Sequence, residues 1–125
     1  VIIMPSSLII IPPKWEELCS SMEKRQKCRI LLIPDTAAKL LRFYEAESVV
    51  SYGLSDKSTI THSSISDFET VISIQRELPT IDGELLERQE IALRRPENLA
   101  VEKFLALVGA FLITGVKPEE LGRFF

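Results

Sequence analysis

The chain is short of the residues that usually announce chemistry. Among 125 residues it has one histidine, two cysteines and one tryptophan. Cys19 and Cys28 are too few for a disulfide framework, and no further Cys or His stands at zinc-ligand spacing around them. We therefore expect a reduced, cytoplasmic setting. The five glycines (Gly53, Gly83, Gly109, Gly115, Gly122) are scattered singly, so no Gly-x-x-x-x-Gly-Lys-Ser/Thr loop exists to gather backbone N–H groups around a phosphate. A self-contained nucleoside triphosphate site is excluded. The longest apolar run, Phe104 to Ile113, is about half of the roughly 20 residues that a bilayer span needs. It reads as a buried helix.

Charge of one sign is also missing. Fifteen basic and eighteen acidic residues leave a net charge of −3, which provides no drive toward phosphate backbones or anionic lipid. The expected partners therefore include neither nucleic acid nor a membrane. The opening VIIMPSSLIIIPP has no basic region and carries Pro5, Pro12 and Pro13, unlike a signal peptide. A first residue of Val rather than Met suggests a piece of a longer product. What is present is a composition of 46% hydrophobic and 26% charged residues, which fits one folded domain over residues 1–125.

The patterning predicts an α/β fold. Leu8 to Ile11 is a β-branched run closed by Pro12-Pro13, Arg29 to Ile33 a second buried strand, and Ser48 to Tyr52 a third, stopped by Gly53. Between them, Lys14 to Lys27 places Trp15, Leu18, Cys19 and Met22 at helical spacing, with acids early and bases late. A second helix runs from Pro34-Asp35-Thr36 through Ala37, Leu40, Leu41 and Tyr44. Near-continuous apolar strands alternating with helices predict parallel βαβαβ units. After Gly53 the pattern becomes alternating: Ser58 to Ser63, Thr70 to Arg76, and Leu85 to Leu93 behind an Asp82-Gly83 turn predict antiparallel strands. Two helices close the chain, Asn98 to Thr114, ended by Gly115, and Pro118 to Phe124.

Few residues invite a catalytic reading. His62 lies in Thr59-Ile60-Thr61-His62-Ser63-Ser64, but no Gly-x-Ser-x-Gly elbow accompanies it, and no acidic or Cys cluster completes a metal site. We read it as a solvated strand histidine. Asp35 stands where the second strand gives way to its helix, the edge at which α/β sheets place ligands. Its simpler role is an N-cap, shared with Thr36. Glu84, Glu87 and Glu90 with Arg88, Arg94 and Arg95 read as the guard charges of an edge strand, and Trp15 as packing. No catalytic, cofactor-binding or metal residue is assigned.

Three stretches resemble the later half of the central ATP-binding domain of the Mur ligase family, bacterial amide-bond formers of peptidoglycan precursor synthesis that are grouped with folylpolyglutamate synthase. RILLIPDTAAKLL (Arg29 to Leu41) is similar to a family strand that ends in Asn-x-Asp-Asp before a helix. ESVVSYGLSDKSTITHSSI (Glu47 to Ile65) is similar to its v-x-x-[YF]-G-[LV] strand and the polar strand that follows. ENLAVEKFLALVGAFLITGVKPEEL (Glu97 to Leu121) is similar to its His-Asn-x-x-Asn helix and short successor.

The resemblance implies a Mur-type central-domain fold, but the family's polar residues are largely replaced. Ile33 stands at the Asn and Thr36 at the second Asp, while Leu99, Ala100 and Lys103 stand at the His, Asn and Asn. Asn98 matches only across a gap. Met4-Pro5-Ser6-Ser7 falls at the metal-binding His and Asp, and Ser20 near the modified lysine, with Lys24 reachable only by a shift. The phosphate loop would lie upstream of these residues. The expected function is a non-catalytic interaction, regulatory or structural module, without a cofactor. The alternative is a segment of an active ATP- and magnesium-dependent ligase, and a third class is a flavodoxin-like small-molecule binder with a pocket near Pro34 and Gly53. A sheet lacking its earlier strands should leave an apolar edge for self-association or a protein partner.

Overall fold

The structure is a computed structural model, described here for residues 7–14 and 25–125. Its centre is a six-stranded sheet of order β1-β2-β3-β4-β5-β8. The members are β1 (Leu8–Ile10), β2 (Gln26–Pro34), β3 (Tyr44–Tyr52), β4 (Ile60–Ile65), β5 (Thr70–Ile74) and β8 (Gln89–Leu93). The pairs β1–β2, β2–β3 and β3–β4 are parallel, and β4–β5 and β5–β8 antiparallel. The expected α/β class, with parallel strands followed by antiparallel ones, is therefore present.

The apolar run of β2 has a direct cause, since both of its faces are covered. Ile30 and Leu32 join a cluster with Val50, Tyr52, Ile60, Ile72 and Ile74 under helix α1 (Val101–Ile113), while Leu31 and Ile33 join Ile9, Ile11, Ala37 and Leu40 on the other face. Each fully buried Ile, Leu or Val side chain among them contributes about 1.5–3 kcal/mol. Helix α1 lies close to the sheet at Gly109, where an added Cβ would come within 2.9 Å of Ile60 Cδ1. It ends as the sequence predicts. Gly115 adopts φ +111°, and Gly115 N–H and Val116 N–H donate to the Leu112 and Phe111 carbonyls, closing a Schellman motif. The Asp82-Gly83 turn also forms, with Gly83 N–H donating to the Thr80 carbonyl between β6 (Leu78–Pro79) and β7 (Leu85–Leu86).

Several boundaries differ from the sequence expectation. Gln26 and Lys27, expected to end a helix, open β2 because they pair in parallel register with Tyr44 and Glu45. Most of that helix, with Trp15, lies outside the described residues. Tyr44, expected in a helix, begins β3 for the same reason, and the segment before it is a 3-10 helix, Asp35–Phe43, kinked at Ala37. Leu85 to Leu93 divides, since Leu85–Leu86 pairs with β6 and Gln89–Leu93 with β5. Asn98 sits at φ +64° ahead of α1, and the closing helix is the 3-10 segment Pro118–Arg123. Among the described residues no helix is long and apolar enough to cross a membrane.

The step from β3 to β4 is unusual for a parallel pair. A parallel connection ordinarily needs a dozen residues or more. Here it takes residues 53–59, because the strands are staggered and share only the pair Tyr52↔Ile60. No crossover helix is needed, but the loop must be held in place by other means.

Candidate functional site

That loop lies beside the carboxyl ends of β2 and β3, where Pro34 delivers Asp35. The Asp35 carboxylate does not cap its own helix, as the N-cap position is Pro34 and no side-chain cap bond forms. Instead Oδ2 accepts from Ser55 N–H at 2.9 Å and from Ser58 Oγ at 2.8 Å. The expected cap is corrected to a staple across the chain. The physical reason is proximity: Gly53, at φ +149°, passes so close that a Cβ there would overlap the carboxylate.

The opposite side of the loop is held from β5 and its continuation. Gln75 Nε2 donates to the Asp56 and Ser58 carbonyls at 2.7 and 2.6 Å, and Arg76 donates to the Lys57 carbonyl at 2.6 Å. Thr59 N–H donates to Ser51 Oγ at 3.0 Å, and Gln75 N–H to the Thr59 carbonyl at 2.8 Å. Buried Ser58 thus has its backbone and hydroxyl groups engaged, and buried Thr59 its backbone groups. Sequence reasoning missed Ser55, Ser58 and Gln75 as a group. The available signal was Gly53 followed at once by a polar run, directly after a buried strand.

Around this staple lies an open cleft of about 450 Å³ lined by Asp35, Thr36, Ser51, Ser55, Lys57 and Ser58. It offers hydroxyls, one ammonium and the remaining carboxylate oxygen, a set suited to hydrogen bonding and without a nucleophile–base pair. A second cleft, of about 400 Å³, lies at the amino ends of β2 and β3 between Lys27, Arg29, Glu45 and Glu47. The exposed Arg29–Glu47 ion pair spans it at 3.7 Å, and buried Cys28, its thiol pushed up by burial, lines it as a free thiol. A thiol so placed is a poor nucleophile.

The other singled-out residues are dispersed. His62 faces Ile72 across the β4–β5 pair and is half-buried, with Nδ1 enclosed and without a hydrogen-bond partner. It is thus less solvated than its polar neighbours suggest, because its strand partner draws it onto the covered side of the sheet. A register shift follows it, between His62 and Ser64. Among the described residues no three His, Cys, Asp or Glu side chains gather as metal ligands. Glu90 lies on the edge strand β8, with Glu87, Arg88, Arg94 and Arg95 flanking it.

Of the positions singled out by the family resemblance, Ile33 is buried in the sheet core, Thr36 is exposed, Leu99 is half-buried and Lys103 lies exposed on α1. Ala100 occupies the N-cap of that helix and offers no side-chain bond. Met4, Pro5, Ser6, Ser20 and Lys24 lie outside the described residues. Compared with known protein families, curated proteins and solved structures, the chain matches none.

Proposed function

We propose that this chain is a Mur-ligase-like central-domain segment that serves as a non-catalytic interaction or structural module. The observation that carries the reading is the use of Asp35. It is the acidic residue left from the Asn-x-Asp-Asp pattern, and its carboxylate holds the 53–59 loop through Ser55 and Ser58. The neighbouring positions support the same reading, since apolar Ile33 joins the core and neutral Thr36 takes the second acidic place. A developing negative charge on a transferred phosphoryl group needs preorganised cations or donors, which Ile33 and Leu99 cannot supply. On this reading ATP and magnesium find no fit at these residues.

The test is calorimetric titration of the chain with ATP and magnesium. No saturable heat is expected, and micromolar saturation would refute the reading in favour of a ligase segment. The cleft beside Asp35 favours a second reading, a binder of small polar ligands at the strand ends. Thermal stabilisation by a sugar or nucleoside, abolished in Ser51→Ala, would establish it.

A further inference from the structure

Among the described residues the sheet ends at β1 on one side and β8 on the other, and these two edges differ in kind. Strand β8 is bordered by Glu87, Arg88, Glu90, Arg94 and Arg95, charges that oppose pairing with another strand. Strand β1 has no such guard, because residues 7–13 read Ser-Leu-Ile-Ile-Ile-Pro-Pro and carry no charge at all.

The direction of the β1 backbone groups follows from its register. Leu8, Ile9 and Ile10 pair with Ile30, Leu31 and Leu32, and the flanking bonds run from Ile30 N–H to the Ser7 carbonyl and from Ile11 N–H to the Leu32 carbonyl. Ser7, Ile9 and Ile11 therefore turn toward β2. In a parallel ladder alternate residues serve opposite neighbours, so the N–H and C=O of Leu8 and Ile10 point out of the sheet. Above them Ile10, 38% exposed, and Leu107, 42% exposed, line a mostly apolar groove of about 230 Å³ with Ala106, Ala110, the two prolines and one charged residue, the exposed Lys103 of α1.

We propose that β1 pairs antiparallel with β1 of a second copy, about a two-fold axis through Ile9. In that register Leu8 stands opposite Ile10 of the other copy and Ile10 opposite its Leu8. Each outward N–H then meets an outward C=O reciprocally, which is the self-complementarity that a two-fold interface requires. An uncharged edge meets itself without repulsion, whereas the β8 edge does not. The axis stands perpendicular to the sheet, so both α1 helices lie on the same side and the apolar grooves face each other across it. Pro12 and Pro13 end the pairing, since neither can donate a hydrogen bond. The inference deepens the interaction-module reading by naming its partner as a second copy of this chain.

Sedimentation of the chain over about a thousand-fold range of concentration tests it. The mass is expected to double, Ile10→Lys to keep the chain monomeric, and Ala92→Lys on β8 to leave the dimer intact. Amide exchange on the unsubstituted chain stands independent of any folding defect in Ile10→Lys. Protection of Leu8 and Ile10 should rise with concentration while that of β8 stays constant. A monomer at every concentration, or a dimer that survives Ile10→Lys, overturns the proposal. So does protection of Leu8 and Ile10 in the monomer, which would mean that another segment of the same chain occupies the edge. ATP binding would instead sink the non-catalytic reading and leave the strand pairing untouched.

Discussion

Replacing Gly53 by alanine should destabilise the fold by two routes that a double-mutant cycle can separate. The first is backbone strain, because φ +149° is a conformation that a residue with a Cβ rarely adopts; this costs about 1–3 kcal/mol. The second is displacement of the Asp35 carboxylate, which the new methyl would overlap. Displacement breaks the bonds from Ser55 N–H and Ser58 Oγ and leaves the buried Ser58 hydroxyl unsatisfied. Hydrogen bonds to a charged group are worth about 1.5–3 kcal/mol each. Asp35 is half-buried and both bonds share one oxygen, so about 2 kcal/mol in total is the working value. Gly53→Ala should therefore cost about 3–5 kcal/mol, and Asp35→Ala about 2 kcal/mol.

The two losses overlap. With Asp35 already alanine the overlap is gone, so adding Gly53→Ala should cost only the strain, leaving a coupling of about 2 kcal/mol. Urea unfolding of the four proteins measures this, with unchanged m-values confirming a common unfolded state. If the single effects add to within about 0.5 kcal/mol, Gly53 and Asp35 do not act on one another and the staple is refuted.

Two further outcomes follow from groups elsewhere in the fold. Tyr52, fully buried, donates its hydroxyl to the Ile11 carbonyl at 2.6 Å, so Tyr52→Phe should cost about 1–2 kcal/mol in urea unfolding; an unchanged midpoint would contradict that bond. The Asp82 carboxyl is held below its ordinary value by the Thr80 hydroxyl; desolvation opposes this, and its own and the Glu84 backbone N–H add to the lowering. A lowered folded value means that the stabilisation is present above the unfolded carboxylate range and is lost as pH falls through the folded value. Amide exchange at Glu84 should accordingly accelerate in acid relative to β5, and Asp82→Asn should flatten that pH dependence.

What the sequence discloses, and what it hides, divides by the reach of the interaction. The strand at Arg29 to Ile33 is legible because an apolar run covered on two faces needs only its own residues to be recognised. Ser48 to Tyr52, with Val50 and Tyr52 buried on one face and Val49 exposed on the other, is legible from its β-branched residues and the Gly53 that stops it. Gly115 and Asp82-Gly83 are legible because a helix end and a turn are closed by neighbours a few residues away. Gln26, Lys27 and Tyr44 are misread for the opposite reason. Their own propensities permit a helix, and the partner strand eighteen residues distant decides otherwise. Leu85 to Leu93 is misread likewise, since one extended pattern serves two different partners, β6 and β5.

Asp35 is the instructive case for the site. Locally it has every qualification of a cap, standing before a helix and beside a threonine. A cap bond to its own first turn would stabilise the helix by about 1 kcal/mol, whereas the staple gains two charge-assisted bonds and satisfies the buried Ser58. The longer-range arrangement prevails because β3 and β4 share a single bridging pair, so their connection depends on side-chain bonds, from Asp35 on one side and from Gln75 and Arg76 on the other. The need arises from the stagger of two strands, which no residue near Asp35 encodes. Gly53 carries the trace of it, as a position in that loop where a side chain would close the space the carboxylate occupies.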